Sequence, residues 1–418
     1  MKNYDYNASG VSTRCVRAGN PPDGETGALI RPLYMNNSYA SGAYVTGGGA
    51  GDTETPRFGY ARDYNANQYY LERKLIALEC GAREDENQNG AAGPAKQTEM
   101  DCLVAGCGTA AINAAFFTLL SAGDHIVCSN PCYYSVHKFL LDHLSGRFGV
   151  EVTFADATDP EKIKAAVKPN TKIIHVETPG NPITCIADIA AISAIAKGAG
   201  ALLTVDGTWA SPILQRPLLL GADLVMHSLS KYINGHGDSL GGAVIGRKDL
   251  IDRIRVEGCV RLGQPISPFN AWLISRGAAT LPLRMAAHCE SAMRIAAFLE
   301  SHPAVLFVRY PGLMSHPQHE TAKRQMSGFS GMLNLRLKGG IPAHEKFIGR
   351  LRLFLNAVSL GHNESLIVHH RMNKDDPWFP ILKETAIDAG EAFMRISVGL
   401  EDAEDLIADI EQAIGRIG

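Results

Sequence analysis

Short apolar runs alternate with helical patterns from residue 103 to residue 228. The runs that have the length of buried strands are CLVAG, HIVCSN, GVEVTFAD, TKIIHVETP, ALLTVDG and DLVMHS. Helical patterns such as TAAINAAFFTLLSAG and ADIAAISAIAKGAG lie between them. Strands and helices that alternate in this way predict a mostly parallel sheet with helices on both faces, which is an α/β fold. Such sheets bind their ligands at the carboxyl ends of the strands.

The pattern changes on both sides of this region. Residues 1–70 are rich in Gly, Asn, Thr and Tyr and show little helical periodicity, so we expect an extended N-terminal arm that contacts a neighbouring subunit. The first helical pattern is QYYLERKLIALEC, and the polar stretch at 83–100 predicts a surface loop. Beyond residue 267, long helical patterns precede the strand-like runs MLNLRLKGG and FMRISVG. We therefore expect a large domain over 71–267 and a smaller α+β domain over 268–418.

The composition narrows the class of protein. Apolar residues make up 45% of the 418 residues, which is enough for a large core, and the formal net charge of −3 argues against a nucleic-acid partner. The N-terminal residues have no apolar signal core, and no stretch reaches the about 18 uncharged apolar residues of a spanning helix. We expect a cytoplasmic protein without a membrane partner. The nine cysteines are widely spaced and the histidines lack metal-ligand spacing, which predicts reduced thiols and no catalytic metal.

Polar residues close three of the predicted strands. Glu177 ends KIIHVE, Asp206 ends ALLTVD, and Ser228 ends DLVMHS, with Ser230 and Lys231 directly after it. A single polar residue at a strand end is usually a turn or cap residue, but parallel strands bring these residues to one edge of the sheet. An amine, a carboxylate and hydroxyl groups together suit an aldehyde cofactor that has a phosphate group and a ring nitrogen. That is the chemistry of pyridoxal phosphate (PLP).

Several sequence blocks, in order along the chain, carry a resemblance to a known family. They are VETPGNP, VDGTWASPILQRPLLLGADLVMHS, HSLSKYINGHGD, TLPLRM, YPGLMSHPQHETAKRQMSGFSGML, VSLGHNESL and RISVGLED. From about Ser12 to the C-terminus, apart from the loop at 83–100, the chain resembles the Cys/Met metabolism PLP-dependent enzymes. This group includes cystathionine and methionine γ-lyases, cystathionine γ-synthase and O-acylhomoserine sulfhydrylases. The resemblance implies the PLP-dependent transferase fold type I, pyridoxal 5'-phosphate as the cofactor and a small amino acid as the substrate.

The resemblance also implies which residues hold the cofactor. Lys231 matches the lysine that binds PLP covalently and then moves protons, and both tasks need a neutral amine. Asp206 matches the carboxylate that keeps the ring nitrogen protonated. Cys107 stands where relatives commonly have serine. The phosphate is expected to contact two hydroxyl groups and two backbone N–H groups at a helix start, which belong to Ser228, Ser230, Gly108 and Thr109.

Further matches concern the cofactor ring and the leaving group. Tyr133 matches a tyrosine that stacks on the ring and can protonate a leaving group at Cγ, and Tyr134 is a competing candidate for this proton transfer. Asn181 matches a residue near the ring oxygen. Glu177 matches a residue close to the same face, and a structural role is its alternative.

Two further pairs of residues imply how the substrate is bound and how the chains assemble. Arg395, with Ser359 beside it, matches the arginine that binds the substrate α-carboxylate through two hydrogen bonds. Tyr60 and Arg62 match residues that relatives extend across a subunit boundary to the phosphate of the neighbour's cofactor. This implies an active site that two chains share and a homotetramer built from two such pairs.

The reaction implied by the resemblance is γ-elimination, in which an L-amino acid loses its Cγ substituent and yields a 2-oxo acid and ammonia. The main alternative is a γ-replacement transferase that acts on a homoserine ester, of the sulfhydrylase or cystathionine γ-synthase type, because it uses the same residues. A non-catalytic PLP-binding protein would need neither Arg395 nor Tyr133. An NAD-dependent oxidoreductase is disfavoured because no GxGxxG motif follows the first strand.

Departures from the family pattern bear on the substrate. Val358 stands where relatives that act on cystathionine often have glutamate, which disfavours cystathionine. Ser135 replaces a cysteine often found in methionine γ-lyases, the stretch CVRLGQPIS lacks their Lys-Asp pair, and Gly207 replaces a usual asparagine two residues before Trp209. The substrate therefore stays open among γ-substituted amino acids of the methionine, homocysteine and homoserine type.

Overall fold

The computed structural model of the chain describes residues 6–40, 58–81, 99–371 and 392–415. Within these ranges seven strands form the larger sheet: β1 (Met100–Ala105), β2 (His125–Ser129), β3 (Glu151–Ala155), β4 (Thr171–Glu177), β5 (Leu202–Asp206), β6 (Leu224–Ser228) and β7 (Gly242–Arg247). Their order is β1-β7-β6-β5-β4-β2-β3, and among these described strands only β7 runs antiparallel to the other six. The expected α/β fold with a mostly parallel seven-stranded sheet is confirmed.

Helices lie on both faces of this sheet and on the smaller one. In the described ranges they are α1 (Val11–Arg17), α2 (Ala66–Cys80), α3 (Gly108–Leu119), α4 (Tyr134–Lys138), α5 (Gly146–Phe148), α6 (Pro160–Ala166), α7 (Ile189–Ala199), α8 (Ser211–Leu214), α9 (Lys248–Arg253), α10 (Pro268–Ala278), α11 (Leu281–Ser301), α12 (His319–Gln325), α13 (Gly340–Ile348) and α14 (Ala403–Ile414). Two π-helical segments, Phe139–Ser145 and Ile254–Val260, continue α4 and α9. No helix of the described residues is long and apolar enough to span a membrane.

Strand β1 illustrates how both faces of the larger sheet are covered. Its residues Cys102 and Val104 belong to the core that includes α2 and α10, whereas Leu103 and Ala105 belong to the core that includes α3. Successive side chains of a strand point to opposite faces, so one strand contributes to both cores. All four side chains are fully buried. Because both faces are buried, the strands appear in the sequence as continuous apolar runs.

Two elements differ from the sequence pattern. Helix α1 lies in the segment expected to be extended, and its Cys15 side chain is fully buried in one core with Leu71 and Leu75 of α2. A helix of seven residues is too short to show a clear period. Strand β7 was not predicted because glycines weaken strand propensity. The structure needs a glycine at Gly242, because a Cβ there would lie 2.1 Å from the Cys107 carbonyl oxygen.

Residues 41–57 of the expected arm and 83–98 of the expected loop lie outside the described residues, and residue 100 already belongs to β1.

The smaller sheet lies in the C-terminal part of the chain. Its strands are β8 (Val305–Arg309), β9 (Met332–Leu337), β10 (Leu355–Asn356), β11 (Leu366–Arg371) and β12 (Ala392–Ser397), in the order β10-β11-β12-β9-β8. Helix α11 takes part in both cores: Leu281 and Met285 pack with the larger sheet, whereas Ile295 and Leu299 pack with the smaller one. The expected domain boundary at residues 267 and 268 stays a prediction.

Candidate active site

The carboxyl ends of β4, β5 and β6 bring three polar residues to one edge of the larger sheet. These strands are parallel neighbours, and Glu177 and Asp206 are direct register partners at their ends. Ser228 ends β6, and its backbone N–H donates to Thr208 Oγ1 at 2.8 Å, directly after β5. The strand ends therefore meet as the sequence pattern indicates.

Asp206 is a buried carboxylate, and a buried contact between His227 and Glu79 lies near it. Burial raises its pKa, whereas hydrogen bonds from Thr208 and the charge of His227 lower it. The Thr208 backbone N–H donates to Asp206 Oδ1 at 2.9 Å. His227 Nε2 lies 2.5 Å from Glu79 Oε1, and both side chains are buried. A Cβ at Gly207 would lie 3.0 Å from His227 Cε1, so glycine leaves room for this imidazole.

Glu177 holds two backbone segments beside Asp206. Its Oε2 accepts a hydrogen bond from the Tyr133 N–H at 2.5 Å, and its Oε1 accepts one from the Asn181 N–H at 3.0 Å. Burial and the nearby charge of Asp206 raise the pKa of Glu177 well above its usual range. These contacts favour the structural alternative for Glu177. Tyr133 and Tyr134 are 43% and 49% exposed.

The start of α3 packs tightly against the end of β6. A Cβ at Gly108 would lie 2.9 Å from Ser228 Cβ, so only glycine lets the helix start approach this closely. Cys107 caps the helix, and its Sγ accepts a hydrogen bond from the Ala110 N–H at 3.4 Å. The first N–H groups of a helix, here those of Gly108 and Thr109, have no partner within the helix. Ser230 Oγ accepts a hydrogen bond from the Gly241 N–H at 3.0 Å.

A second cluster joins the two sheets through Ser359. Lys231 Nζ donates to Ser359 Oγ at 2.6 Å, and Arg395 Nη2 donates to the Ser359 carbonyl oxygen at 3.1 Å. Arg395 Nη1 donates to Asn181 Oδ1 at 2.9 Å, which connects β12 to the loop after β4. The structure thus brings Lys231, Arg395, Ser359 and Asn181 together.

Burial governs the charges of this cluster. It lowers the pKa of Lys231, and the positive charge of Arg395 lowers that pKa further. Burial also lowers the pKa of Arg395 to about 10, although the negative charge of Glu177 opposes this effect. The Lys231 amine therefore loses its proton more readily than an exposed lysine does.

Tyr60 and Arg62 contact one another instead of the Lys231 cluster. The Arg62 guanidinium lies 5.3 Å from the centre of the Tyr60 ring, and its Nε donates to Asp63 Oδ1 at 3.2 Å. The Arg62 side chain is 57% exposed, and Tyr60 is 45% exposed. Within one chain these residues do not complete the site.

The residues present fit pyridoxal 5'-phosphate. The buried Asp206 carboxylate suits a protonated ring nitrogen, and the N–H groups at the start of α3 suit a phosphate. The lowered pKa of the Lys231 amine suits a bond to an aldehyde. All nine cysteines are free thiols, and the described residues contain no group of three or more His, Cys, Asp or Glu side chains suited to a metal ion.

Known proteins are similar to the chain over nearly its whole length. A family model described as Cys/Met metabolism PLP-dependent enzyme matches residues 12–415. A canavanine gamma-lyase of Rhizobium leguminosarum bv. trifolii is 42% identical over 98% of this chain and 97% of that protein. An L-methionine gamma-lyase of Treponema denticola is 40% identical over 100% of both. The crystal structure of metB from Corynebacterium glutamicum has a TM-score of 0.85 and 37% identity, and the similarity covers 99% of this chain and 100% of that one.

Proposed function

The chain belongs to the Cys/Met metabolism PLP-dependent enzyme family, and we propose that it catalyses γ-elimination on a γ-substituted L-amino acid. The reaction breaks the bond between Cγ and its heteroatom substituent and releases a 2-oxo acid and ammonia. The observation that carries this proposal is the position of Ser359, which contacts the Lys231 amine through its hydroxyl and the Arg395 guanidinium through its carbonyl. An α-carboxylate bound at Arg395 brings the Cα of an amino acid close to this amine.

Pyridoxal phosphate, when bound, withdraws electrons from Cα so that neighbouring protons can be removed. We assign its covalent attachment to Lys231 and the contact with its ring nitrogen to Asp206. His227, whose Nε2 contacts Glu79 Oε1, favours the charged form of Asp206 because it lowers the pKa of that carboxyl. Four residues at the start of α3, at the end of β6 and just after it are assigned to its phosphate: Gly108, Thr109, Ser228 and Ser230.

The remaining residues bind the substrate and handle protons. Arg395 and Ser359 receive the α-carboxylate, and Asn181 orients Arg395 through its side-chain oxygen. Lys231 moves protons between Cα and Cβ. Tyr133 would contact the cofactor ring and is assigned to protonation of the leaving group, with Tyr134 next to it as the alternative donor.

A second copy of the chain completes the site in this proposal. Tyr60 and Arg62 are exposed, and the same N-terminal region exposes Leu29, Ile30 and Met35 at 74%, 65% and 71% of their surfaces. Exposed apolar residues in one segment are typical of a protein interface. We propose a homotetramer of two dimers, each with shared sites. A cytoplasmic location belongs to the same proposal and is supported by the free thiols.

The substrate carries sulfur or oxygen at Cγ in this proposal. The two relatives are named after methionine, which has sulfur there, and after canavanine, which has oxygen. Val358 is 78% exposed and offers no charge to a distal ammonium group, so cystathionine is disfavoured.

The test is a substrate survey with purified protein. Methionine, canavanine, cystathionine and an O-acylhomoserine are each supplied, and ammonia and 2-oxobutanoate are measured. We expect both products from at least one γ-substituted amino acid and none with the Lys231→Ala variant. A new amino acid that forms only when a thiol is added, without ammonia, would identify γ-replacement instead. Folded protein that gains no chromophore with pyridoxal phosphate would contradict the proposal.

A further inference from the structure

A chain of hydrogen bonds leads from the Lys231 amine to an imidazole with no assigned function. Lys231 Nζ donates to Ser359 Oγ at 2.6 Å, and Ser359 Oγ lies 3.1 Å from His362 Nε2. A lysine ammonium only donates hydrogen bonds, and a hydroxyl has one hydrogen to donate. When the neutral imidazole carries its hydrogen on Nδ1, the Ser359 hydroxyl accepts from Lys231 and donates to Nε2, which is the arrangement that the transfer below requires.

The backbone conformations of Ser359 and Gly237 position the Ser359 hydroxyl and the His362 imidazole next to the Lys231 amine. Ser359 has a φ of 105°, which is uncommon for a residue with a side chain. In this conformation its hydroxyl contacts Lys231 and His362 while its carbonyl accepts from Arg395. Gly237 has a φ of 69°, and a Cβ there would lie 2.8 Å from both Nδ1 and Cε1 of His362. Glycine in the loop after β6 therefore leaves the space that the imidazole occupies.

The charges around His362 favour a neutral ring. Burial lowers its pKa, the positive charge of Lys231 lowers it further, and Glu364 raises it. Lys231 and Gly237 face the ring from the loop after β6, and Ser359 and Glu364 belong to the segment of His362 itself. The neutral ring can accept a proton at Nε2, and the transfer itself removes the Lys231 charge that lowers the pKa of His362.

We propose that His362 is a positioning residue that takes a proton from Lys231 through Ser359. An N–H bond of the Lys231 ammonium breaks as its proton passes to Ser359 Oγ, and the proton of that hydroxyl passes to His362 Nε2. The products are a neutral amine, a regenerated hydroxyl and a protonated imidazole, so atoms and charge balance. The inference rests on the proposed function, because a neutral lysine is what attachment to an aldehyde and removal of the Cα proton require.

Two variants of His362 test the transfer in the cofactor-loaded enzyme. His362→Asn keeps an oxygen that accepts from Ser359 but does not titrate, and His362→Ala removes the acceptor. We expect kcat to fall about 10-fold in both, less than the about 10²–10⁴-fold effect of a direct acid or base, with KM and the thermal midpoint unchanged. The decrease of kcat on the acidic side, where His362 gains its proton, should disappear, and added imidazole should restore part of the kcat of His362→Ala.

The matched control is His143→Ala, because His143 is exposed on the π-helical segment after α4. We expect it to keep the kcat and the pH profile of the parent. A parental kcat and pH profile in both His362 variants would overturn the proposal. A loss of kcat that follows a lower thermal midpoint, without a change of the pH profile, would also overturn it.

A measurement without turnover separates this inference from the proposed function. The full chain is labelled with ¹³C-histidine, and the His362 signal is identified by its absence in His362→Asn. In Lys231→Met the pKa of His362 should rise toward its ordinary value, because a positive neighbour is lost. This rise is expected even if the protein cleaves none of the tested amino acids. An unchanged pKa would overturn the coupling and the proposal with it.

Discussion

Replacement of Arg395 by lysine tests how the substrate carboxylate is bound. The variant keeps a positive charge in the same buried position but loses the planar guanidinium. Arg395 already uses one N–H on Asn181 Oδ1 at 2.9 Å and one on the Ser359 carbonyl at 3.1 Å. A guanidinium has five N–H donors, so three remain for a carboxylate, whereas an ammonium has three in all. With the same two contacts kept, Arg395→Lys has one donor left for the substrate.

The size of the effect follows from the lost hydrogen bond. A hydrogen bond to a charged group contributes about 1.5–3 kcal/mol. Since about 1.4 kcal/mol corresponds to a factor of ten, we expect kcat/KM of Arg395→Lys to fall about 10- to 150-fold. Most of the change should appear in KM, because the carboxylate is bound in the ground state and the transition state alike.

Steady-state kinetics with the best substrate of the survey measures this change. Arg371→Lys is the matched control, since Arg371 ends β11 in an exposed ion pair with Glu345 and should keep the parental kcat/KM. The assignment of Arg395 to the carboxylate would be refuted if Arg395→Lys matched the parent in KM while it remained folded.

Three further predictions follow from the same structure. Inactive Lys231→Ala chains mixed with inactive Arg62→Ala chains should regain activity in mixed dimers, because one site then has both intact residues; no recovery in verified mixed dimers would contradict a shared site. Glu79→Ala leaves the buried His227 Nε2 without its partner and should lower the free energy of unfolding in urea by about 1–3 kcal/mol, and a change close to zero would contradict a stabilising hydrogen bond between them. Burial lowers the pKa of Lys74 from 10.5 to about 8, so at this residue the unfolded chain binds more protons than the folded chain between these pH values. The free energy of unfolding of the parent, measured relative to that of Lys74→Met in urea titrations, should therefore rise by up to about 3 kcal/mol across this window, and a constant difference would contradict the lowered pKa.

The larger sheet could be predicted because buried parallel strands leave a strong local signal. Each apolar run over residues 103–228 became a strand, and the polar residues at the ends of β4 and β5 became register partners. Helix α2 begins at Ala66, two residues before the expected start, because the side chain of Asn65 accepts from the Gln68 N–H and caps the helix. Strand β11 was missed because its second half, HHR, is polar.

Other parts of the site depend on contacts between distant residues, which a local pattern does not contain. Glu79 and His227 are 148 positions apart, and neither stands out in its own segment. His362 lies inside the sequence block VSLGHNESL. Its proposed role depends on the contact with Ser359 and on the space that Gly237, in another segment, leaves for its ring. In the proposed assembly Tyr60 contacts a cofactor held by a second chain, so neither one sequence nor one folded chain contains that contact.

The length of helix α11 has a mechanical consequence. This single helix of 21 residues packs its first half into the core of the larger sheet and its second half into the core of the smaller one. Rotation of one sheet away from the other would therefore require the helix to bend or one of its halves to detach from its core. Because Lys231 follows a strand of the larger sheet and Arg395 lies in a strand of the smaller one, α11 opposes any change in the separation of these two side chains.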